Sequence, residues 1–250
     1  MTARPQGLEP GKFLGNRFRR EHSPRTPWHH GPVNSYWADW SAYLPLALAA
    51  LLVLWRPLWN LTRHVVTLAH EAGHAIAAVA TGRRLTGIRL HSDTSGLTLS
   101  RGKPRGPGMV VTAAAGYLAP SLLGLAGAAL IAAGRLSILL WGAVALIVAM
   151  IPFIRNVFGF LVLVAAGGVV GVVAWYGSDT LQLHFAYTAI WLLLAGNLRT
   201  IVEAARTRSG NSDLDQLRRL THLPRFLWTA TLMAIAIGTG VLAWRAQYMA

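Results

Sequence analysis

Apolar and polar positions divide this chain into long hydrophobic runs separated by short basic breaks. Seven runs stand out: Ala42 to Trp55, Leu61 to Thr81, Met109 to Ala133, Leu136 to Pro152, Val157 to Tyr176, Leu181 to Leu198 and Phe226 to Trp244. Most approach or exceed the roughly 20 residues a helix needs to cross the hydrocarbon core, which predicts an all-α polytopic membrane protein of about six to seven transmembrane helices. The first run is short. It reaches spanning length only by continuing past Arg56 and Pro57, so a broken or tilted first helix is expected. After Arg84 the period changes: Ile88, Leu90, Leu97 and Leu99 alternate with polar residues around Asp93-Thr94-Ser95-Gly96. That pattern predicts a short β-hairpin, with an amphipathic loop on the membrane as the competing expectation.

Composition agrees with the pattern. Hydrophobic residues make up 54% of the chain and charged ones only 13%, which assigns residues 41–250 to one membrane-embedded domain. Residues 1–40 are instead polar, basic and rich in Pro and Gly, and read as a disordered cytoplasmic arm without a cleavable signal. Within it Trp28, His29, His30, Trp37 and Trp40 are candidates for an interfacial belt. The formal net charge of +14 raises a nucleic-acid partner, but Lys and Arg are confined to the breaks between apolar runs, as membrane topology demands. The expected partner is therefore the bilayer and not nucleic acid. Six basic residues lie in the arm, six between Arg83 and Arg105, one at Arg155 and six between Arg199 and Arg225. Seven crossings put all of these on one side, leaving Arg56, Arg63, Arg135 and Arg245 for the other. The expectation is a multi-pass cell-membrane protein with a cytoplasmic N terminus, its second helix running from the outer surface inwards.

Candidate chemistry sits in that second run, in Thr67-Leu68-Ala69-His70-Glu71-Ala72-Gly73-His74-Ala75-Ile76. A charged or strongly polar residue at mid-membrane costs about 2.5 to 3.5 kcal/mol on insertion scales, so three within five positions require an ion or a cavity. On a helix His70 and His74 project from one face and can grip one metal ion, with Glu71 beside them. Such a site suits zinc with an open position for water and a non-ligand carboxylate to take its proton. The chain has no cysteine, so any metal must use His, Asp or Glu. Polar His64, Thr67, Glu71 and His74 form one stripe, opposite Val65, Leu68, Ala72, Ile76 and Val79, and the stripe is expected to face the protein interior. Gly82 is the expected C-terminal cap. His74 then lies roughly 10 Å from that end, within the inner leaflet.

The third ligand is sought among the remaining carboxylates. Asp179, Glu9, Glu21 and Asp93 fall in an outer loop, the arm and a turn. Asp213 is the first candidate, Asp215 the second and Glu203 the third, with Asp213 and Asp215 equally well read as first-turn acids of a helix capped by Ser212. Gly116, Pro120, Gly124 and Gly127 in one span, and Gly167 and Gly171 in another, are read as helix-packing positions. Asn156 could enter the site or cap a helix, and capping is the preferred reading.

These residues resemble the site-2 protease family of intramembrane zinc metallopeptidases, in its compact form without a PDZ domain. The resemblance rests on Ala69-His70-Glu71-Ala72-Gly73-His74-Ala75, the β-like segment with Gly87 and Gly96, Gly116-Tyr117-Leu118-Ala119-Pro120, and Ser212-Asp213. It implies zinc on His70, His74 and Asp213, Glu71 as general base, and a transmembrane protein substrate cut near the cytoplasmic face. A membrane-bound regulator such as an anti-sigma factor is the kind of substrate the family implies. Better-known members carry the distal Asp in an Asn-containing segment ending in Leu-Asp-Gly, whereas here Asp213 is followed by Leu214 and Asp215. The alternative classes are a non-proteolytic metal-binding membrane scaffold or transport protein, and a di-iron oxidase. The latter needs many clustered histidines, while His91, His184 and His222 stand apart.

Overall fold

The computed structural model describes residues 40–207, 210 and 212–248. The expected arm, with Trp28, His29, His30 and Trp37, lies outside the described residues, apart from Trp40 at the start of a short 3₁₀ turn. The order that follows is α1 (Leu44–Leu54), α2 (Arg56–Ala80), β1 (Arg84–Leu90), β2 (Gly96–Arg101), α3 (Pro107–Ala132), α4 (Leu136–Met150), α5 (Val157–Tyr176), α6 (Asp179–Arg206), α7 (Asp213–Thr221) and α8 (Arg225–Tyr248).

Among the described residues five helices are long and apolar enough to cross a membrane, namely α3, α4, α5, α6 and α8. The first two apolar runs form one bent pair that adds at most one further candidate span. Trp55 is extended and Pro57 follows at the second helical position, so α1 and α2 meet at a bend of 101°. The described residues thus hold five to six candidate spans, in keeping with the six to seven expected. Tyr43 before α1 stacks on Tyr248 at the end of α8, ring centroids 5.8 Å apart, which places residues 43 and 248 at one end of the bundle.

The motif helix is tied at both ends to neighbouring helices. Trp59 near its start donates a hydrogen bond to Glu203 near the end of α6, and Thr81 at its finish lies 3.5 Å from Thr112 near the start of α3. The end of α6 and the start of α3 belong to the same half of the bundle, because Asn197 of α6 bonds the Tyr117 carbonyl and Ser121 of the antiparallel α3. α2 packs along α3, from Ala115 and Ala119 beside Gly73 to Gly108 beside Thr81. Gly82 closes α2 as expected: its φ is +74°, its amide bonds the Val79 carbonyl, and the Arg83 amide bonds that of Ala78 at 2.8 Å.

Two small elements flank α2. The hairpin pairs β1 and β2 antiparallel, Ile88 opposite Thr98 and Leu90 opposite Gly96. It is seated by Ile88 and Leu90, both fully buried, against Leu68 and Ala72 of α2, Met150 and Leu163. Asn156 does not cap α5. Its side chain brackets Leu90, accepting from the amide at 3.2 Å and donating to the carbonyl at 2.6 Å, while the Arg155 amide bonds the Ile88 carbonyl. The outer edge of β1 is occupied in this way, and β2 borders the cleft described below. On the other flank α7 is seated by Leu214 and Leu217, fully buried among Ala113, Tyr117, Ile201 and Leu232.

The glycines divide by neighbourhood. Gly124 and Gly127 pack α3 against Leu194 and Ile190 of α6, and Gly73 admits α3 onto α2, where a Cβ would lie 2.5 Å from the Ala115 carbonyl oxygen. Gly167 packs near Ile147, but Gly171 has nothing within 4 Å, so the expected small-residue packing pair is only half used.

Candidate metal centre

One helical turn separates His70 from His74, and their Nε2 atoms stand 3.0 Å apart on the same face of α2. Asp213 closes the triangle from the first turn of α7, its Oδ2 lying 3.0 Å from Nε2 of His70 and 3.2 Å from Nε2 of His74. Donor atoms at zinc-like bond lengths in a tetrahedron stand about 3.3 Å apart, so the three already hold nearly the spacing a single ion requires. His70, Glu71 and His74 also offer donor atoms within 4.8 Å of one another. The set with Asp213 is the tighter one, and Oε2 of Glu71 already accepts a hydrogen bond from Thr98 Oγ1 at 2.6 Å.

The surroundings suit a metal. Gly116 of α3 faces both imidazoles: a Cβ there would lie 2.4 Å from Nε2 of His74 and 2.5 Å from that of His70. Only glycine keeps that side open. Nδ1 of His74 donates to the Thr112 carbonyl at 2.7 Å, and this orients the ring with Nε2 towards Oδ2 of Asp213. The Tyr117 ring stands edge-on to His70, centroids 4.9 Å apart. Nδ1 of His70 is buried without a hydrogen-bond partner among the described residues.

The three candidate carboxylates have separate surroundings. Asp215 closes a capping box with Ser212 and pairs with Arg225 at 3.3 Å. Glu203 pairs with Arg63 at 3.1 Å and Arg199 at 2.8 Å. Only Asp213 of the three reaches the imidazoles. Burial would raise its carboxyl, but hydrogen bonds with His70 and His74 outweigh burial and hold it well below the usual carboxylate range. For Asp215, too, burial works upwards and is outweighed, here by the Ser212 hydroxyl and amide and then by Arg225, so its carboxyl is lowered.

A cleft of about 800 Å³ opens over the site, bordered by Arg63, Glu71, Tyr117, Thr207, Asp213 and the strand Gly96–Ser100. Glu71 is 3% exposed and faces this strand. The chain segment that folds into this centre is also the one a family model covers: Peptidase M50B-like matches residues 43–243. The chain belongs to that family. As an M50B-like peptidase it is a member of the site-2 protease family, a multi-pass membrane protein whose His70–Glu71–His74 cluster is compatible with a metallopeptidase centre. No curated protein and no solved structure matches the chain.

Sequence reasoning about this M50B-like chain passed over Thr98, Thr112 and the part Gly116 plays. Glycine at 116 was visible as a close-approach position. Nothing in the local pattern says that what approaches is a pair of imidazoles, or that a threonine 27 residues after Glu71 returns to its carboxylate.

Proposed function

We propose that this chain is an intramembrane zinc endopeptidase that hydrolyses peptide bonds of transmembrane protein substrates. The observation that carries the reading is the convergence of His70, His74 and Asp213 at 3.0–3.2 Å beside a buried glutamate that borders the same cleft. His70, His74 and Asp213 would hold the metal through Nε2, Nε2 and Oδ2. Zinc held there supplies Lewis acidity, bringing the pKa of water to about 7 and polarising the scissile carbonyl. Glu71 takes the proton of the attacking water and passes it to the departing amide nitrogen as the carbon–nitrogen bond breaks. Oε1 is the free oxygen for this work, because Oε2 is engaged by Thr98.

The substrate enters unwound. β2 has one edge on β1 and borders the cleft with the other, and an extended segment added there exposes its peptide groups beside Glu71. The site end of the bundle carries Arg83, Arg84, Arg101, Lys103, Arg105, Arg155 and Arg225, so it faces the cytoplasm, and residue 43 lies on the opposite side. A membrane-bound regulator presenting a single span is the fitting substrate class.

The test is Glu71→Gln in the full-length protein, co-expressed with a single-span substrate. The variant keeps one zinc per chain and loses cleavage. Wild-type turnover by the variant rejects the mechanism, and zinc in both proteins with cleavage by neither points to a metal-holding scaffold.

A further inference from the structure

The hairpin meets α2 through one face of β2 and the turn that precedes it. Strand side chains alternate, so Gly96 and Thr98 look the same way, Thr94 lies in the turn before the strand, and on the helix positions 67 and 71 lie one turn apart on one stripe. Thr67 Oγ1 donates to the Thr94 carbonyl at 3.0 Å, and Thr98 Oγ1 donates to Oε2 of Glu71 at 2.6 Å while lying 3.2 Å from the Glu71 carbonyl. Between these ties Gly96 lets the glutamate side chain lie against the strand: a Cβ on it would stand 2.4 Å from Oε1, 2.6 Å from Cγ and 2.7 Å from Cδ of Glu71. The carboxylate is thus held on one side by a hydroxyl and on the other by the absence of a side chain.

We infer that Thr98, with Gly96, is a positioning element for Glu71: the hydroxyl fixes Oε2 so that Oε1 is presented to the reacting water, and glycine leaves room for that one rotamer. The inference rests on the proposed role of Glu71 as base. It assigns the hairpin a second task besides receiving substrate, since the strand with the open edge also orients the base. Thr98 touches neither metal nor substrate in this role and acts only through Glu71.

The experiment compares purified, zinc-loaded, full-length wild type, Thr98→Val, Thr98→Ser, Gly96→Ala and Glu71→Gln on a fluorogenic single-span peptide that the wild type cuts. A hydrogen bond to a charged group is worth enough that Thr98→Val loses kcat by on the order of tenfold or more. KM, zinc content and thermal midpoint stay at wild-type values, and Thr98→Ser recovers most of the rate. Gly96→Ala displaces the flexible end of Glu71 and also lowers kcat with zinc retained. Wild-type kcat in Thr98→Val, or equal loss in Thr98→Val and Thr98→Ser, overturns the inference while an inactive Glu71→Gln leaves the protease reading standing. An active Glu71→Gln brings down both.

Discussion

The two helices that meet at the centre are held by different means. α2 has 25 residues, is wedged against α3 through Gly73, and is sealed at its end by the bonds around Gly82. α7 has nine residues and is held by Leu214 and Leu217 beneath it, by the Ser212–Asp215 capping box, and by Arg225. Arg225 is a three-way tie: it pairs with Asp215 and donates to the carbonyls of Thr207 and Ala204, joining α6, α7 and α8. An isolated helix of α7's length is marginal in water and depends on such docking. The comparison teaches that two of the proposed ligands stand on a rigid support and the third on a latched one, so metal binding is expected to be weakened from the α7 side without unfolding the bundle.

The largest effect expected from breaking this arrangement is at the latched ligand itself. Asp213→Ala reduces zinc content to background and abolishes cleavage, with helical content unchanged; metal analysis of the purified chain beside far-ultraviolet dichroism checks both. Full zinc occupancy in Asp213→Ala would move the third ligand elsewhere.

A smaller effect follows from loosening the latch. Arg225→Ala leaves all three ligands in place but frees α7, lowering zinc affinity by about 10- to 100-fold, as loss of supporting contacts around metal ligands does. Titration against a zinc-buffered indicator reads this, and the thermal midpoint of the metal-free protein moves little. The smallest effect is at the rigid partner's end: Gly82→Ala meets no neighbour within 4 Å but must hold φ at +74°, which costs about 1 kcal/mol. Its signature is the reverse of the previous one, a lowered thermal midpoint with zinc affinity unchanged.

Legibility followed the distance over which contacts act. Broken entry at Arg56–Pro57, closure of α2 at Gly82, capping of α7 by Ser212 and pairing of the hairpin all depend on neighbours a few residues apart, and each was readable. The seven apolar runs were readable as segments. How sharply the first two turn into one another was not, because hydropathy measures length and polarity and carries no information about a 101° bend between consecutive helices. Asn156 shows the same limit: a polar residue before a helix reads locally as a cap, while its partners at Leu90 are 66 residues away.

The sequence by itself determined half the site. Two histidines and a glutamate within five residues share a helical face wherever that helix lies, because i and i+4 geometry is a property of the backbone. Tertiary structure alone gives different surroundings to Asp213, Asp215 and Glu203, three carboxylates of like chemistry that lie 129–145 residues beyond His70 or His74. Arginines surround Glu203, Ser212 and Arg225 claim Asp215, and Asp213 is left to face the imidazoles because α7 is docked on its two leucines with that side towards α2. No local pattern contains that orientation; it exists only once the buried faces of three helices have been matched.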